Sequence, residues 1–112
     1  MDDTFVEQSD EFRAWLSRLK DVTAKAAIQI RINRLHLGNF GDSASVGNGV
    51  SELRVDVGKG YRVYYSKIGL KIVLLLVGGD KSSQSRDIKK ARELNNKFRA
   101  AIEDDSGGEE HG

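Results

Sequence analysis

The run "SELRVDVGKGYRVYYSKIGLKIVLLLV", residues 51–77, restricts this chain most: three strand-like segments follow one another with only short, glycine-bearing turns between them. "SELRVDV" alternates, with Leu53, Val55 and Val57 on one face and Glu52, Arg54 and Asp56 on the other, the period of two that a half-buried strand shows. "GKG" at 58–60 turns the chain into "YRVYYS", where Tyr61, Val63 and Tyr65 take the apolar face and Arg62, Tyr64 and Ser66 oppose it. A second turn near Ile68 and Gly69 leads into "LKIVLLLV", continuous enough in apolar residues to be a central strand. Turns this short join neighbouring antiparallel strands.

Helical periodicity flanks this unit. A short strand over Thr4–Gln8 precedes Phe12, Trp15, Leu16 and Leu19, the spacing of an amphipathic helix that starts near Ser9 or Asp10. The aromatic pair Phe12/Trp15 is expected in the core. Asp21 can cap a second helix from Val22 to Leu37, with Ala24, Ile28, Ile32 and Leu35 on one face, Ala27 and Ile30 widening it, and Gly38 stopping it. The two helices, joined at Lys20-Asp21, form a helical hairpin. "GNFGDSASVGNGV", residues 38–50, reads as a long loop ordered on binding. A third helix is expected from Ser83 to Ile102, with Ser82 or Ser83 as its cap and Ile88, Ala91, Leu94, Phe98 and Ile102 facing inward.

The order β-α-α-β-β-β-α defines an α+β domain, its helices packed on one face of an antiparallel sheet and the other face open and polar. A chain of 112 residues holds one such domain, here residues 1–102. The remainder, 103–112, is acidic and glycine-rich, a composition expected to be disordered. There is no apolar run of membrane-spanning length and the N-terminus is acidic and mixed, so neither a membrane span nor a secretory signal is expected and the cytoplasm is the expected compartment. The chain has no cysteine, which excludes disulfides and thiolate metal sites, and its two histidines, His36 and His111, do not suggest a metal centre. No cofactor is expected.

The formal charge of +1 hides an uneven distribution. All 18 Lys and Arg lie between Arg13 and Arg99, with seven of the acids, so that segment carries a net charge of +11. Such a balance suits a polyanionic partner, although a solvated basic surface has the same composition. On the open sheet face Arg54 and Arg62 fall together, and Lys81 follows the end of the neighbouring strand, beside Tyr64. Clustered cations are unfavourable unless an anion joins them, and arginine forks bind phosphate bidentately while tyrosine can stack a base. Gly78 and Gly79 would let a ligand approach the backbone. The bland alternative is that these cations pair with Glu52, Asp56 or Asp80. "GGDKSS" is not a nucleotide loop, because Asp80 and Leu75 stand where that motif needs glycines.

The strings "GNFGD", "GVSELR", "GYRVYY" and "GGDKSSQ", in this order within residues 4–100, resemble the RelE/ParE toxin superfamily. The likeness is to its HigB-like "addiction module killer" branch, which includes phage-derived relatives. This resemblance implies the microbial-RNase-like (RelE-like) fold and an mRNA interferase, an endoribonuclease acting in the ribosomal A site to inhibit translation. It also implies an antitoxin partner, often a helix-turn-helix DNA-binding protein. By position Arg62 matches the arginine that contacts the scissile phosphate, Arg54 a basic residue on the preceding strand, and Lys81 the basic residue ending the last strand. These three are the expected catalytic residues, and Tyr64, Asp80, Gln84 and Arg86 the expected substrate contacts. Where many relatives carry Tyr or His after the last strand, this chain has Gln84, Arg86 and Asp87.

Cleavage by the RNA's own 2′-hydroxyl needs a base, charge stabilisation on the phosphorane and an acid. Arg62 suits the second role, because arginine stays protonated. Lys81 could stabilise charge or donate a proton. Glu52, Asp56, Asp80 and a lysine of depressed pKa all stay open as the base. Two other functions fit the same scaffold: a ParE-like DNA gyrase inhibitor, and a non-catalytic RNA- or protein-binding module.

Overall fold

The structure is a computed structural model that describes the backbone of residues 4–110 and the side chains of residues 4–103. Strand β1 (Phe5–Gln8) is followed by helices α1 (Asp10–Arg18) and α2 (Val22–His36). Strands β2 (Ser43–Gly47), β3 (Val50–Val55), β4 (Tyr61–Ile68) and β5 (Ile72–Asp80) come next. A 3-10 turn, Lys81–Ser83, then leads into α3 (Gln84–Glu110). The protein is thus α+β, with one five-stranded sheet in the order β1-β5-β4-β3-β2.

Local chemistry accounts for the helical hairpin. Ser9 caps α1, its hydroxyl accepting from the Phe12 amide at 2.9 Å while donating to the Leu76 carbonyl at 2.7 Å, so one side chain starts the helix and fastens it to β5. Asp21 caps α2 through the Ala24 amide, and Gly38, at φ +78°, ends it. Phe12, Leu16, Ala24, Ile28, Ile32 and Leu35 bury themselves against Leu53, Val55, Tyr61, Val63, Tyr65, Val73 and Leu75. These are the faces that the alternation and helical spacing indicate, except that Ile30, expected to widen the α2 face, is half-exposed. Trp15 packs partly buried at the margin of this core.

Four features depart from the expectations. The sheet is mixed rather than antiparallel, because β1 runs parallel to β5, with Phe5 opposite Ile72 and Gln8 opposite Leu75. The chain returns to lie parallel beside β1 only after α1, α2 and the antiparallel strands β2, β3 and β4. Residues 38–50 are not a loop throughout: Ser43–Gly47 pairs with β3 as a hairpin. Asn48 and Gly49, both at positive φ, make the tight turn that an Asn-Gly pair favours.

The second sheet face is not open. Val50, Tyr64, Leu74, Leu76 and Val77 lie buried there under Ala91, Ile88, Leu94 and Phe98 of α3. The continuous apolar run of β5 is the physical reason, since a strand apolar on both faces needs cover on both. A bulge sharpens this effect. Val77 pairs with Tyr64 and Leu75 with Tyr65, so Leu76 is the extra residue, placed beside Val77 in the α3 core. The same helix binds the β2–β3 hairpin through Arg92 to the Val46 carbonyl and Asn95 to the Asn48 carbonyl.

The fourth departure concerns the end of α3. Helix continues to Glu110, past residue 102, over most of the segment expected to be disordered; the chain has no proline to stop it. Residues 111–112 lie outside the described residues. Ile102, expected inside, is 43 % exposed.

Candidate functional site

Four of the seven expected site residues converge where α3 begins. Arg54 and Arg62 stand directly opposite each other on β3 and β4, and Glu52 opposite Tyr64 one step along. Between the sheet and α3, Glu52 is only 2 % exposed and Arg62 8 %. One Glu52 oxygen, Oε1, receives Arg54 Nε at 3.1 Å and lies 3.7 Å from Arg62 Nε. The other, Oε2, accepts from Gln84 Nε2 at 2.6 Å. Arg54 also reaches Asp42 Oδ1 at 3.2 Å. Arg31 positions that acid's loop through the carbonyls of Phe40 and Asp42.

The two arginines therefore share a buried carboxylate, and their like charges are offset without an external anion. Bonds from Glu52 and Asp42 push the Arg54 guanidinium further above its ordinary value. Arg62 donates from Nη1 to the Tyr61 carbonyl, while its buried Nε has no hydrogen-bond partner among the described residues. Tyr64 is not a stacking platform. Its ring is fully buried in the α3 core, and its hydroxyl has no hydrogen-bond partner among the described residues. Burial, and then the carboxylates of Glu52 and Asp87, push the phenol well above its ordinary pKa against the opposing effect of Arg62. Tyr64 consequently stays protonated and cannot act as a base near neutrality.

Asp80, Lys81 and Arg86 lie elsewhere. The Asp80 carboxylate accepts from the Ser82 amide at 2.8 Å and from the Ser82 hydroxyl, and Ser83 completes a reciprocal capping box. Asp80, rather than either serine, is the residue that opens the 3-10 turn. The Ser82 bonds hold its pKa below the ordinary carboxylate value, against burial and with help from Lys59. Engaged in this way, it is a poor candidate for the base. Lys81 is exposed; its amide donates to the Gly60 carbonyl and its stem lies across Gly60, outside the hydrogen-bonded cluster.

Arg86 lines a cleft of about 480 Å³ between α1 and the start of α3, floored by the end of β5. Gly78 and Gly79 make this architecture possible. A side chain at 78 would overlap the indole of Trp15, and one at 79 would overlap the Asp87 carboxylate and come within 2.8 Å of Ser83 Oγ. The glycines make room for the chain's own residues, one on each face of the sheet. Ser83 Oγ donates to Asp87. Sequence reasoning had no place in the site for Trp15, Arg18, Asp87 or Lys90. The only signal was the adjacent glycine pair, which marks close approach on both faces of a strand.

Together the fold and this site define a small α+β protein with a charged cluster at the joint of sheet and C-terminal helix, beside an open cleft. No family model matches the chain. It is 55 % identical over 83 residues, 74 % of this chain and 84 % of the other, to an uncharacterized protein of Haemophilus influenzae (strain ATCC 51907 / DSM 11121 / KW20 / Rd). The chain belongs to the family of that Haemophilus protein. Among the described residues no helix is long and apolar enough to cross a membrane.

Proposed function

We propose that the protein is the toxin of a type II toxin–antitoxin system, an endoribonuclease that cleaves mRNA on the ribosome and is neutralised by a helix-turn-helix antitoxin. The observation that carries this proposal is the convergence of Arg54, Arg62 and Gln84, from three separate elements, on one buried carboxylate. The RelE/HigB-like resemblance matches Arg54 and Arg62 of this cluster, with Lys81 outside it, and the +11 segment from 13 to 99 suits an RNA partner.

In this mechanism the Arg62 guanidinium stabilises the phosphorane by moving out of its buried position beside Glu52. Arg54, exchanging Asp42 for the substrate, holds the adjacent phosphate, and Lys81 contacts the backbone from outside the cluster. Glu52 keeps both guanidinium groups in place and acts as a positioning residue, since both its oxygens are occupied. Of the candidates for the base, Asp80 is engaged by Ser82 and Glu52 by Arg54 and Gln84, which leaves Asp56 or a lysine. Chemistry of this kind depends on the ribosome to orient the 2′-hydroxyl.

The test is induction in bacteria with mapping of mRNA 5′ ends, beside Arg62→Ala and Lys81→Ala variants of verified folding. Translation arrest with new A-site ends, lost in Arg62→Ala, is the expected result. Arrest with supercoiling-defective DNA would assign gyrase as the target instead. RNA binding without cleavage or arrest would leave a non-catalytic binding module.

A further inference from the structure

Helix α2 is apolar on two opposite sides, and the domain covers one of them. Ala24, Ile28, Ile32 and Leu35 face the sheet and are buried. On the opposite side Val22, Ala26, Ile30, Asn33 and the C-cap Leu37 recur within about 80° of arc at 3.6 residues per turn. All five are exposed, Val22 by 79 %, Ile30 by 50 % and Leu37 by 77 %. The solvent side of a helix in a small domain ordinarily carries charged and polar residues, so this stripe asks for cover. Its width selects the kind of cover. A helix that packs on a core shows an apolar face of about 100° or more, whereas a narrower stripe is the seam between paired helices.

Charge specifies the partner further. Residues 22–41 contain Lys25, Arg31 and Arg34 and no acid. Arg31 turns inward to the carbonyls of Arg54, Phe40 and Asp42. Asp21, at the start of the helix, also turns inward, to the Ala24 amide and the Tyr61 hydroxyl. Lys25 and Arg34 are exposed, one on each side of the stripe, without an ion-pair partner among the described residues. The other exposed ionisable side chain of the helix, His36, adds no negative charge. Two copies of this helix would set like charges against each other, which disfavours self-pairing. The stripe also lacks the aromatic residues of an interfacial membrane helix, and Asn33, bonded to Gln29 at 3.3 Å, interrupts it. Within a seam, an asparagine fixes the register of paired helices.

We propose that the outer face of α2 is a docking seam for an acidic amphipathic helix of a partner protein. Apolar residues of that helix cover Val22, Ala26, Ile30 and Leu37, and its flanking carboxylates meet Lys25 and Arg34. The seam does not depend on the proposed nuclease activity. Helix α2 lies on the sheet face opposite α3, whereas the arginine cluster lies between the sheet and α3. A helix seated on α2 therefore leaves Arg54 and Arg62 uncovered.

The probe is a synthetic helical peptide of about three heptads, with leucine at its seam positions and glutamate beside them. A second peptide carries lysine in place of each glutamate. Titrated into the isotope-labelled full chain, the glutamate peptide is expected to shift the amide resonances of α2 and to leave those around Arg62 in place. Ile30→Ser, on exposed helix surface and checked for folding by circular dichroism, should weaken binding roughly tenfold. Lys25→Glu combined with Arg34→Glu should reverse the preference between the two peptides. Absence of binding, equal binding of both peptides, or shifts centred outside α2 would overturn the seam, whatever the protein does to mRNA. A dimer in sedimentation equilibrium that Ile30→Ser dissolves would overturn it in favour of a second copy. Co-sedimentation with phosphatidylserine vesicles, lost in Ile30→Ser, would overturn it in favour of a membrane surface.

Discussion

Substituting Glu52 by glutamine keeps the shape of the charged cluster and removes its negative charge. Arg62, 8 % exposed, would be left as a buried cation whose nearest carboxylate is gone. Removing one partner of a buried pair costs about 3–5 kcal/mol. The 3.7 Å separation from Arg62 is long, and the amide can still serve Gln84, so the lower end applies: about 3 kcal/mol. Arg54 contributes little to this sum, being half-exposed and able to keep Asp42. For a domain of this size the loss corresponds to a fall in Tm of roughly 12–15 °C. Arg62→Met, which leaves Glu52 with Arg54 and Gln84, should cost about 2 kcal/mol. The double variant replaces the pair by uncharged groups and should be no less stable than Glu52→Gln alone, a coupling of about 2 kcal/mol. Urea unfolding followed by Trp15 fluorescence measures all four proteins. If Glu52→Gln costs under about 1 kcal/mol and the two substitutions simply add, Arg62 does not depend on Glu52, and its placement as a desolvated cation held by that carboxylate is wrong.

Gly79→Ala should destabilise by about 1–3 kcal/mol, because the new methyl group meets Asp87 and Ser83 at the start of α3; a neutral result in thermal unfolding would mean that α3 does not seat there. Tyr64→Phe removes a buried hydroxyl without a partner, so stability should be unchanged or higher by about 1 kcal/mol; a clear loss would reveal a hydrogen bond. Asp80→Ala removes a cap and should cost about 1 kcal/mol at neutral pH. The folded-state pKa of Asp80 is depressed, so its contribution is full above the ordinary carboxylate value and lost as pH falls through the lower folded one. The difference between wild type and Asp80→Ala should therefore be constant near neutrality and shrink below about pH 4. A gap that widened in acid would contradict this.

Strand and helix identity was legible wherever period, cap and turn chemistry agreed. Asp21 and Gly38 bracket α2 as their types indicate, and the alternation of Leu53, Val55, Val63 and Tyr65 marks the face that α1 and α2 cover. The site was legible in part. Arg54 and Arg62 had to share a face once their strands paired antiparallel, and Glu52 was among the acids that could accept them. The roles of Tyr64, Asp80 and the glycines were not, since each depends on what lies against it. A tyrosine alternating with arginines reads as polar until a helix covers it, and Asn48-Gly49 reads as loop until Arg92 and Asn95 hold the hairpin.

The amino-acid sequence by itself determined the elements, one core face, a cation-rich middle and the pairing of Arg54 with Arg62, because these follow from local periodicity and strand register. Only the tertiary structure decided that α3 closes the second face, that β1 returns parallel to β5, and that Gly78 and Gly79 admit Trp15 and Asp87. The reason is distance along the chain. Glu52 and Gln84, or Trp15 and Gly78, have no local term in common, and their meeting is set by how two layers of helix settle on the bulged, two-sided strand between them.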